Sequence, residues 1–229
     1  MNELMINKKF GILCLFFLIF NPFSSFSNKE KWDSDKSTWT AFMKATYKGN
    51  HKKMIKLISK GCDVDSCSKN GNTALTIAIR KQDTIAIRII LDTKKVIISD
   101  YSDLIRFACT KSNVPIIKML KDYGFPLNVN NTKTAVMKSA CDWATVEVVE
   151  YLISIGFTVN IQRDIDGMTP LISSVSIGSY DKVKLLLKHG ADKNAVDKNG
   201  KKAIDYLDNI PPRYNVTEET KKSIRKLLE

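Results

Sequence analysis

Small residues recur along this chain at an almost constant interval, and this recurrence constrains the fold more than any other feature. The spacings between successive positions are 33, 30, 32, 34 and 33 residues. The positions are Ala45, Ala78, Ala108, Ala140, Ser174 and, more loosely, Leu207. Self-similarity at a fixed period of roughly 20–50 residues is typical of repeat proteins, in which neighbouring units stabilise each other. The chain is therefore predicted to be an array of stacked units.

The segment 169–194 is the best-preserved unit and predicts a helix–turn–helix. Thr169 can accept a hydrogen bond at the start of a helix, and Pro170 suits the first helical position because its missing N–H would be unpaired there. Gly178 interrupts the apolar pattern, and Gly190 stands where a left-handed residue would end a second helix. One such unit has too little apolar surface to be stable alone, so neighbours must cover both of its sides.

Two recurring motifs carry a resemblance to a known family. Segments 40–45, 73–78 and 169–174 read TAFMKA, TALTIA and TPLISS, which are versions of T-P-L-H-x-A. A glycine also follows the small residue 16 positions later, at Gly61, Gly124, Gly156 and Gly190. In both respects the sequence resembles the ankyrin repeat family. The resemblance implies an all-α ankyrin-repeat solenoid of about five full repeats plus a truncated sixth over residues 38–208, followed by a C-terminal capping helix.

The second repeat departs most from this pattern. It has Lys94 in place of the closing glycine and is three residues shorter than the first. Its Val96-Ile97-Ile98 run could form a short strand instead. The third and fourth repeats also lack a threonine in phase at the start of the first helix. We therefore expect the middle of the array to be its least regular part.

The C-terminal segment, residues 209–229, is predicted to close the array. Pro211 and Pro212 stop the sixth unit. A last helix is expected to begin after Thr217 as N-cap, with acidic residues in its first turn. Ile224, Leu227 and Leu228 would share the face that covers the end of the stack. Repeat proteins need such a cap to remain soluble.

The first 27 residues have the pattern of a signal peptide. Lys8 and Lys9 precede an apolar run from Phe10 to Phe20, and small residues follow up to Ser27. A permanent anchor is the weaker alternative, because a membrane-spanning helix needs about 20 apolar residues. We therefore expect export to the periplasm or the extracellular space, with residues 28–37 as a polar lead-in to the repeats.

The net charge of the whole chain is +12. Removing residues 1–27 takes away two lysines and one glutamate, which leaves 34 basic and 23 acidic residues and a net charge of +11. A basic protein can bind an acidic protein, an anionic membrane surface or nucleic acid. Export disfavours nucleic acid. The remaining alternative is that most of these lysines only solvate exposed helix faces.

The sequence carries no catalytic or metal-binding pattern, so we predict a non-enzymatic protein without a cofactor. His51 and His189 have no second ligand at metal-binding spacing, and an inter-repeat hydrogen bond or a solvated position is expected for them. Cys109 and Cys141 should be free thiols between helices, because packed helices lie farther apart than a disulfide allows. Cys62 and Cys67 could pair only if their hairpin arm bends, and that question stays open.

The resemblance also implies where a partner binds. In ankyrin repeat proteins the ends of the first helices and the hairpin tips form the concave face that meets protein partners. By phase, the candidate partner-binding residues are Tyr47, Lys48, Lys69, Arg80, Lys81, Lys111 and Trp143. Aromatic residues beside basic groups favour a protein partner with an acidic surface. A membrane surface or another polyanion is the alternative. We expect the protein to be a monomer. Trp143 could instead fill an irregular joint between repeats three and four.

Overall fold

The computed structural model describes residues 36–94, 96, 102–110, 114–125 and 130–229. The predicted signal peptide lies outside the described residues, as do Lys111, Ile97 and Ile98. The α-helices are α1 (Ala41–Tyr47), α2 (His51–Ser59), α3 (Ala74–Lys81), α4 (Thr84–Asp92), α5 (Ser102–Thr110), α6 (Val114–Asp122), α7 (Asn130–Trp143), α8 (Val146–Ser154), α9 (Pro170–Ser176), α10 (Tyr180–Lys188) and α11 (Glu218–Leu228). The predicted all-α repeat array is confirmed, since α1 to α10 are five consecutive helix pairs within the described residues.

No helix in the described part of the chain is long and apolar enough to span a membrane. The helices are short because each repeat contributes only two of them, and their stability comes from packing of one apolar side rather than from their length. This division into short paired helices is what the period near 33 residues predicted.

Threonine side chains start the first helix of three repeats, as the sequence motif predicted. The Thr40 hydroxyl accepts a hydrogen bond from the Met43 N–H at 3.2 Å, and Thr169 accepts one from Ile172 at the same distance. Thr73 makes a reciprocal pair with Thr76, in which each side chain accepts from the other residue's N–H. A cap of this kind contributes about 1 kcal/mol to helix stability.

The second helices end in a left-handed residue whether or not that residue is glycine. Gly61 has φ of 76° and donates its N–H to the Ile58 carbonyl at 2.9 Å. Lys94 occupies the same position after α4 with φ of 53° and donates to the Leu91 carbonyl at 3.0 Å. The missing glycine of the second repeat therefore changes the side chain but not the turn. A residue with a Cβ is strained in this conformation.

Replacing Lys94 by glycine should therefore stabilise the protein. We expect Lys94→Gly to raise the free energy of unfolding by about 0.5–1 kcal/mol, because it relieves the left-handed strain and keeps the turn. The matched control is Gly61→Ala, where no atom lies within 4 Å of the added Cβ. That change should lower the free energy of unfolding by a similar amount in urea titrations. A Lys94→Gly protein less stable than the parent would contradict this account.

The chain forms two compact units, Met1–Ile98 and Ser99–Glu229. The first unit contains α1 to α4, and its buried side chains include Phe42, Met54, Ile77 and Ile87. A histidine–carboxylate pair joins its two repeats: Nε2 of His51 lies 3.0 and 2.8 Å from the two carboxylate oxygens of Asp83. Asp83 also caps α4 by accepting the Ala86 N–H at 2.9 Å. The inter-repeat role expected for His51 is confirmed.

The second unit contains α5 to α11, and its repeats stack through the small residues that define the period. Ala108, Ala140 and Ser174 are all fully buried, as are Ile117 and Leu152 of the second helices. Small side chains at this position let the first helices of consecutive repeats approach closely. The boundary between the two units falls after the shortened second repeat, next to residues outside the described part of the chain.

The end of the second unit is capped as predicted. The sixth repeat begins with a 3-10 helix, Ala203–Asn209, and a second short one follows at Pro212–Tyr214. The α11 helix packs on α10 and on the first of these 3-10 helices. Ile224 and Leu228 are buried in that contact while Leu227 is half-buried. Thr217 caps α11 by accepting the Thr220 N–H at 3.1 Å.

Candidate partner-binding surface

An aromatic and lysine cluster lies where α1 and α3 end in the first unit. The Tyr47 ring packs edge-on against Trp39, with 5.4 Å between the ring centroids. Two ammonium groups face this tyrosine: Nζ of Lys36 lies 3.9 Å from the ring centroid and Nζ of Lys81 lies 4.8 Å from it. Since each cation–π contact is worth about 0.5–1 kcal/mol at an exposed site, the two contacts favour positions of these lysines near the ring in the free protein. We call Lys36, Trp39, Tyr47 and Lys81 the Tyr47 cluster.

The structure brings some of the predicted site residues to this cluster. Tyr47 and Lys81 belong to it, and Lys48 is the exposed residue that follows Tyr47 as the C-cap of α1. Arg80 also lies in the last turn of α3, but it is half-buried. Lys69 is exposed in the hairpin between α2 and α3. The first unit therefore presents a basic region around one half-buried tyrosine.

Two predicted site residues are not part of this cluster. Lys111 lies outside the described residues. Trp143 belongs to the second unit, where it ends α7 and is 43% exposed. The alternative that Trp143 fills a buried joint between repeats is therefore wrong, because a side chain that fills a joint would be largely covered.

A second polar group lies near the end of α7, and it contains a buried lysine. Lys182 of α10 is only 6% exposed, and its Nζ donates a 2.7 Å hydrogen bond to the Cys141 carbonyl near the end of α7. Burial lowers the pKa of Lys182, and the neighbouring Cys141 and Asp142 partly oppose this shift. Asp142 itself pairs with Lys138, one turn earlier. The Lys182 ammonium satisfies a helix-end carbonyl and complements the negative end of the α7 dipole.

The thiols of the second unit are buried and unreactive. Cys109 and Cys141 are free and fully buried, as predicted. Burial raises the pKa of each thiol to about 12, so neither is a thiolate near neutral pH. In the first unit, Cys62 is half-buried, and the exposed Cys67 donates its S–H to the Ser68 carbonyl at 3.4 Å. A buried neutral thiol is inert as a nucleophile.

Sequence reasoning missed three residues of these sites. Lys36 and Trp39 precede the first repeat motif, so no phase relation assigned them to the surface around Tyr47. Lys182 did carry a signal, because the same position of other second helices holds the buried Ala86 and Val148. A lysine in that row indicated either a break in the packing or a buried ammonium. Among the described residues, no group of three or more histidine, cysteine or acidic side chains could hold a metal ion.

Comparison with known proteins places this geometry in a family. The family model "Ankyrin repeats (3 copies)" matches residues 4–101 and 104–197. The chain is 25% identical to the Escherichia coli K12 ankyrin repeat protein YahD over 174 residues, which are 72% of this chain and 86% of YahD. It is 29% identical to mouse (Mus musculus) Rabankyrin-5 over 150 residues, which are 62% of this chain but only 13% of that protein.

Solved structures show the same fold. An ankyrin repeat domain from Acinetobacter baumannii AYE aligns with a TM-score of 0.64 at 22% identity, covering 82% of this chain and 95% of that domain. The ankyrin repeat protein EF0377 aligns with a TM-score of 0.66 at 26% identity, covering 82% of this chain and 96% of that one. The period, the capping threonines, the left-handed helix ends and these matches agree, and the chain belongs to the ankyrin repeat family.

Proposed function

We propose that this chain is an exported binding module that holds a protein partner with an acidic surface through the Tyr47 cluster and the exposed Lys48. Ankyrin repeat domains mediate protein–protein interaction, and proteins of the family are generally non-enzymatic scaffolds. The observation that supports this site best is the pair of lysine ammonium groups held against one tyrosine ring. A half-buried tyrosine is a residue type that interface centres favour, and lysines beside it suit the polar rim of an interface.

The charges of this site suit a carboxylate-rich partner. Lys36 and Lys81 keep their ammonium groups near the Tyr47 ring, and Lys48 is exposed directly after it. The lysines already lie near the ring in the free protein. Their side chains therefore lose less entropy when an acidic partner binds than freely moving lysines would. Complementary charge also raises the association rate, so binding should weaken as the salt concentration rises.

Export and the monomeric state belong to the same proposal. Export is supported by the basic start, the apolar run and the small residues of segment 1–27. The described residues begin after that segment. A monomer is consistent with an array closed at its C-terminal end by α11, since capped repeats do not need a second copy to cover that end.

The test is affinity capture with a charge-reversed variant. Lys36→Glu, Lys48→Glu and Lys81→Glu together should reduce recovery of the partner at least about tenfold, because each change places a carboxylate opposite an acidic surface. Arg80 is left unchanged since its half-buried side chain would complicate folding. The matched control reverses Lys184, Lys188 and Lys226, which are exposed in the second unit and give the same change in net charge. Partners are taken from the exported fraction and quantified by mass spectrometry.

A second pair of variants separates the ring from the charges. Tyr47→Phe keeps the aromatic face and should retain capture, whereas Tyr47→Ala removes the surface that orients the two lysines and should reduce it. Unchanged capture by the triple lysine variant, with its circular dichroism spectrum intact, would overturn the proposal. Equal losses in the triple variant and the second-unit control would overturn the local site in favour of a general charge effect.

A further inference from the structure

The α2 helix of the first unit carries three exposed lysines and no acidic residue, and a fourth exposed lysine follows directly at its C-terminal end. Lys52, Lys53, Lys56 and Lys60 line a shallow groove together with Leu57. Within the described residues, none of the four makes an ion pair with a carboxylate. The opposite side of α2 is held in the core by the fully buried Met54. The result is a row of four positive charges along α2 and at its C-terminal end.

Comparison with the other second helices shows that this row is specific to α2. Positions equivalent to Lys53 hold Ala86 in α4, Val148 in α8 and Lys182 in α10, all of which are buried. Lys53, in contrast, is exposed in the described part of the chain. Solubility alone does not require a row of one sign, because a surface that mixes lysines with acidic residues is also soluble. In α8, by contrast, the exposed charged residues are Glu147 and Glu150.

Two exposed isoleucines stand among these basic residues. Ile55 of α2 is 56% exposed, and Ile85 of α4 is 58% exposed. Counted from the start of each helix, Ile85 is equivalent to Lys52, and Arg88 is equivalent to Ile55. Since α2 packs beside α4, basic and apolar side chains alternate across the two helices. The only acidic residue within α4 is Asp92, which ends it.

We infer that this α2–α4 surface, made of the four lysines with Ile55, Ile85 and Arg88, binds an anionic lipid bilayer. Lysines near such a bilayer are attracted by its negative surface potential, and each one raises binding about fivefold. Isoleucines that project beside them can enter the boundary between headgroups and acyl chains. Nucleic acid or free polyphosphate would use the lysines but would leave both isoleucines in water. The surface lies on the second helices, whereas the Tyr47 cluster lies at the ends of the first helices.

The experiment measures co-sedimentation of the full-length chain with vesicles of phosphatidylcholine and phosphatidylglycerol. Vesicles of phosphatidylcholine alone should bind little. Reversing Lys52, Lys53, Lys56 and Lys60 to glutamate should lower binding at least about 100-fold. The matched control reverses Lys184, Lys188, Lys222 and Lys226, exposed lysines of the second unit that give the same change in net charge. This control should bind within about threefold of the parent because screening limits charges that lie away from the bilayer. All proteins share one N-terminus, so its contribution cancels.

A variant that leaves the net charge unchanged tests whether the ligand is a bilayer or a soluble polyanion. Ile55→Ser with Ile85→Ser should weaken vesicle binding about fivefold or more while leaving binding of inorganic polyphosphate unchanged, because only a bilayer can take up the isoleucines. If the isoleucine variant binds vesicles as well as the parent while the lysine variant does not, the lipid assignment is wrong and a soluble polyanion is favoured. Equal losses in the α2 variant and its control would overturn the local surface. The Tyr47→Ala variant should bind vesicles normally, so this result is independent of partner capture.

Discussion

Replacing Gly167 by alanine should destabilise the second unit by about 3–5 kcal/mol. Gly167 has φ of 72°, and a Cβ built on it would lie 2.7 Å from the Lys198 backbone nitrogen. That nitrogen donates a 3.0 Å hydrogen bond to the Asp166 carbonyl, so the added methyl group pushes apart two hairpins that are bonded to each other. Left-handed strain contributes about 1–2 kcal/mol, and the backbone overlap and the lost hydrogen bond supply the rest.

The next hairpin provides a matched control. Gly200 occupies the corresponding turn with φ of 73°, but no atom lies within 4 Å of a Cβ placed there. Gly200→Ala should therefore cost only the conformational strain, about 1–2 kcal/mol. Urea unfolding followed by circular dichroism gives both free energies. Equal losses for the two variants would show that the contact between the hairpins does not contribute, and would contradict the steric account.

The second large effect is a loss of stability in alkaline solution. Burial raises the pKa of Cys109 and of Cys141 from 9.0 to about 12. Above pH 9 the unfolded chain releases these protons while the folded protein keeps them, so stability is full below pH 9 and falls as the pH rises toward 12. Each thiol should contribute a loss of about 1.4 kcal/mol per pH unit in that interval. Between about pH 8 and pH 10, the two together should cost roughly 2.5 kcal/mol.

Other groups of the second unit titrate in the same range. The pKa of Tyr206 is raised to about 12, mainly by burial and by its hydrogen bond to Asp197, and it adds to the alkaline loss. The lowered pKa of Lys182 acts in the opposite direction, because the unfolded lysine binds a proton that the folded one has released. Variants are therefore needed to assign the thiol contribution.

Urea midpoints across this pH range should separate the contributions. Cys109→Ala should remove about half of the thiol effect, and it is the cleaner change because Cys141 lies next to Lys182. Cys67→Ala removes an exposed thiol of the first unit and is the matched control. If Cys109→Ala keeps the same slope of stability against pH as the parent, the assignment to the buried thiol is wrong.

The repeat architecture could be predicted from the sequence because it depends on interactions between residues close in the chain. Thr169 caps the residue three positions later, and Gly61 closes a turn with a residue three positions earlier. Such contacts follow from local chemistry and recur once per repeat, so the period together with the capping threonines and glycines predicted the paired helices and the small residues between them. Lys94, which stands where the pattern expects glycine, also adopts the left-handed conformation, with φ of 53°.

The sites were decided by the tertiary structure, because their partners lie about one repeat apart and depend on how the repeats pack. His51 meets Asp83 across 32 positions, and Lys182 meets the Cys141 carbonyl across 41. The sequence selected Tyr47 and Lys81 by phase, but only packing placed both Lys36 and Lys81 against the same ring. Gly167 and Gly200 have the same backbone conformation, but packing between repeats leaves open space only around Gly200. Periodicity therefore determines which residues can meet, and side-chain packing between repeats determines which of them do.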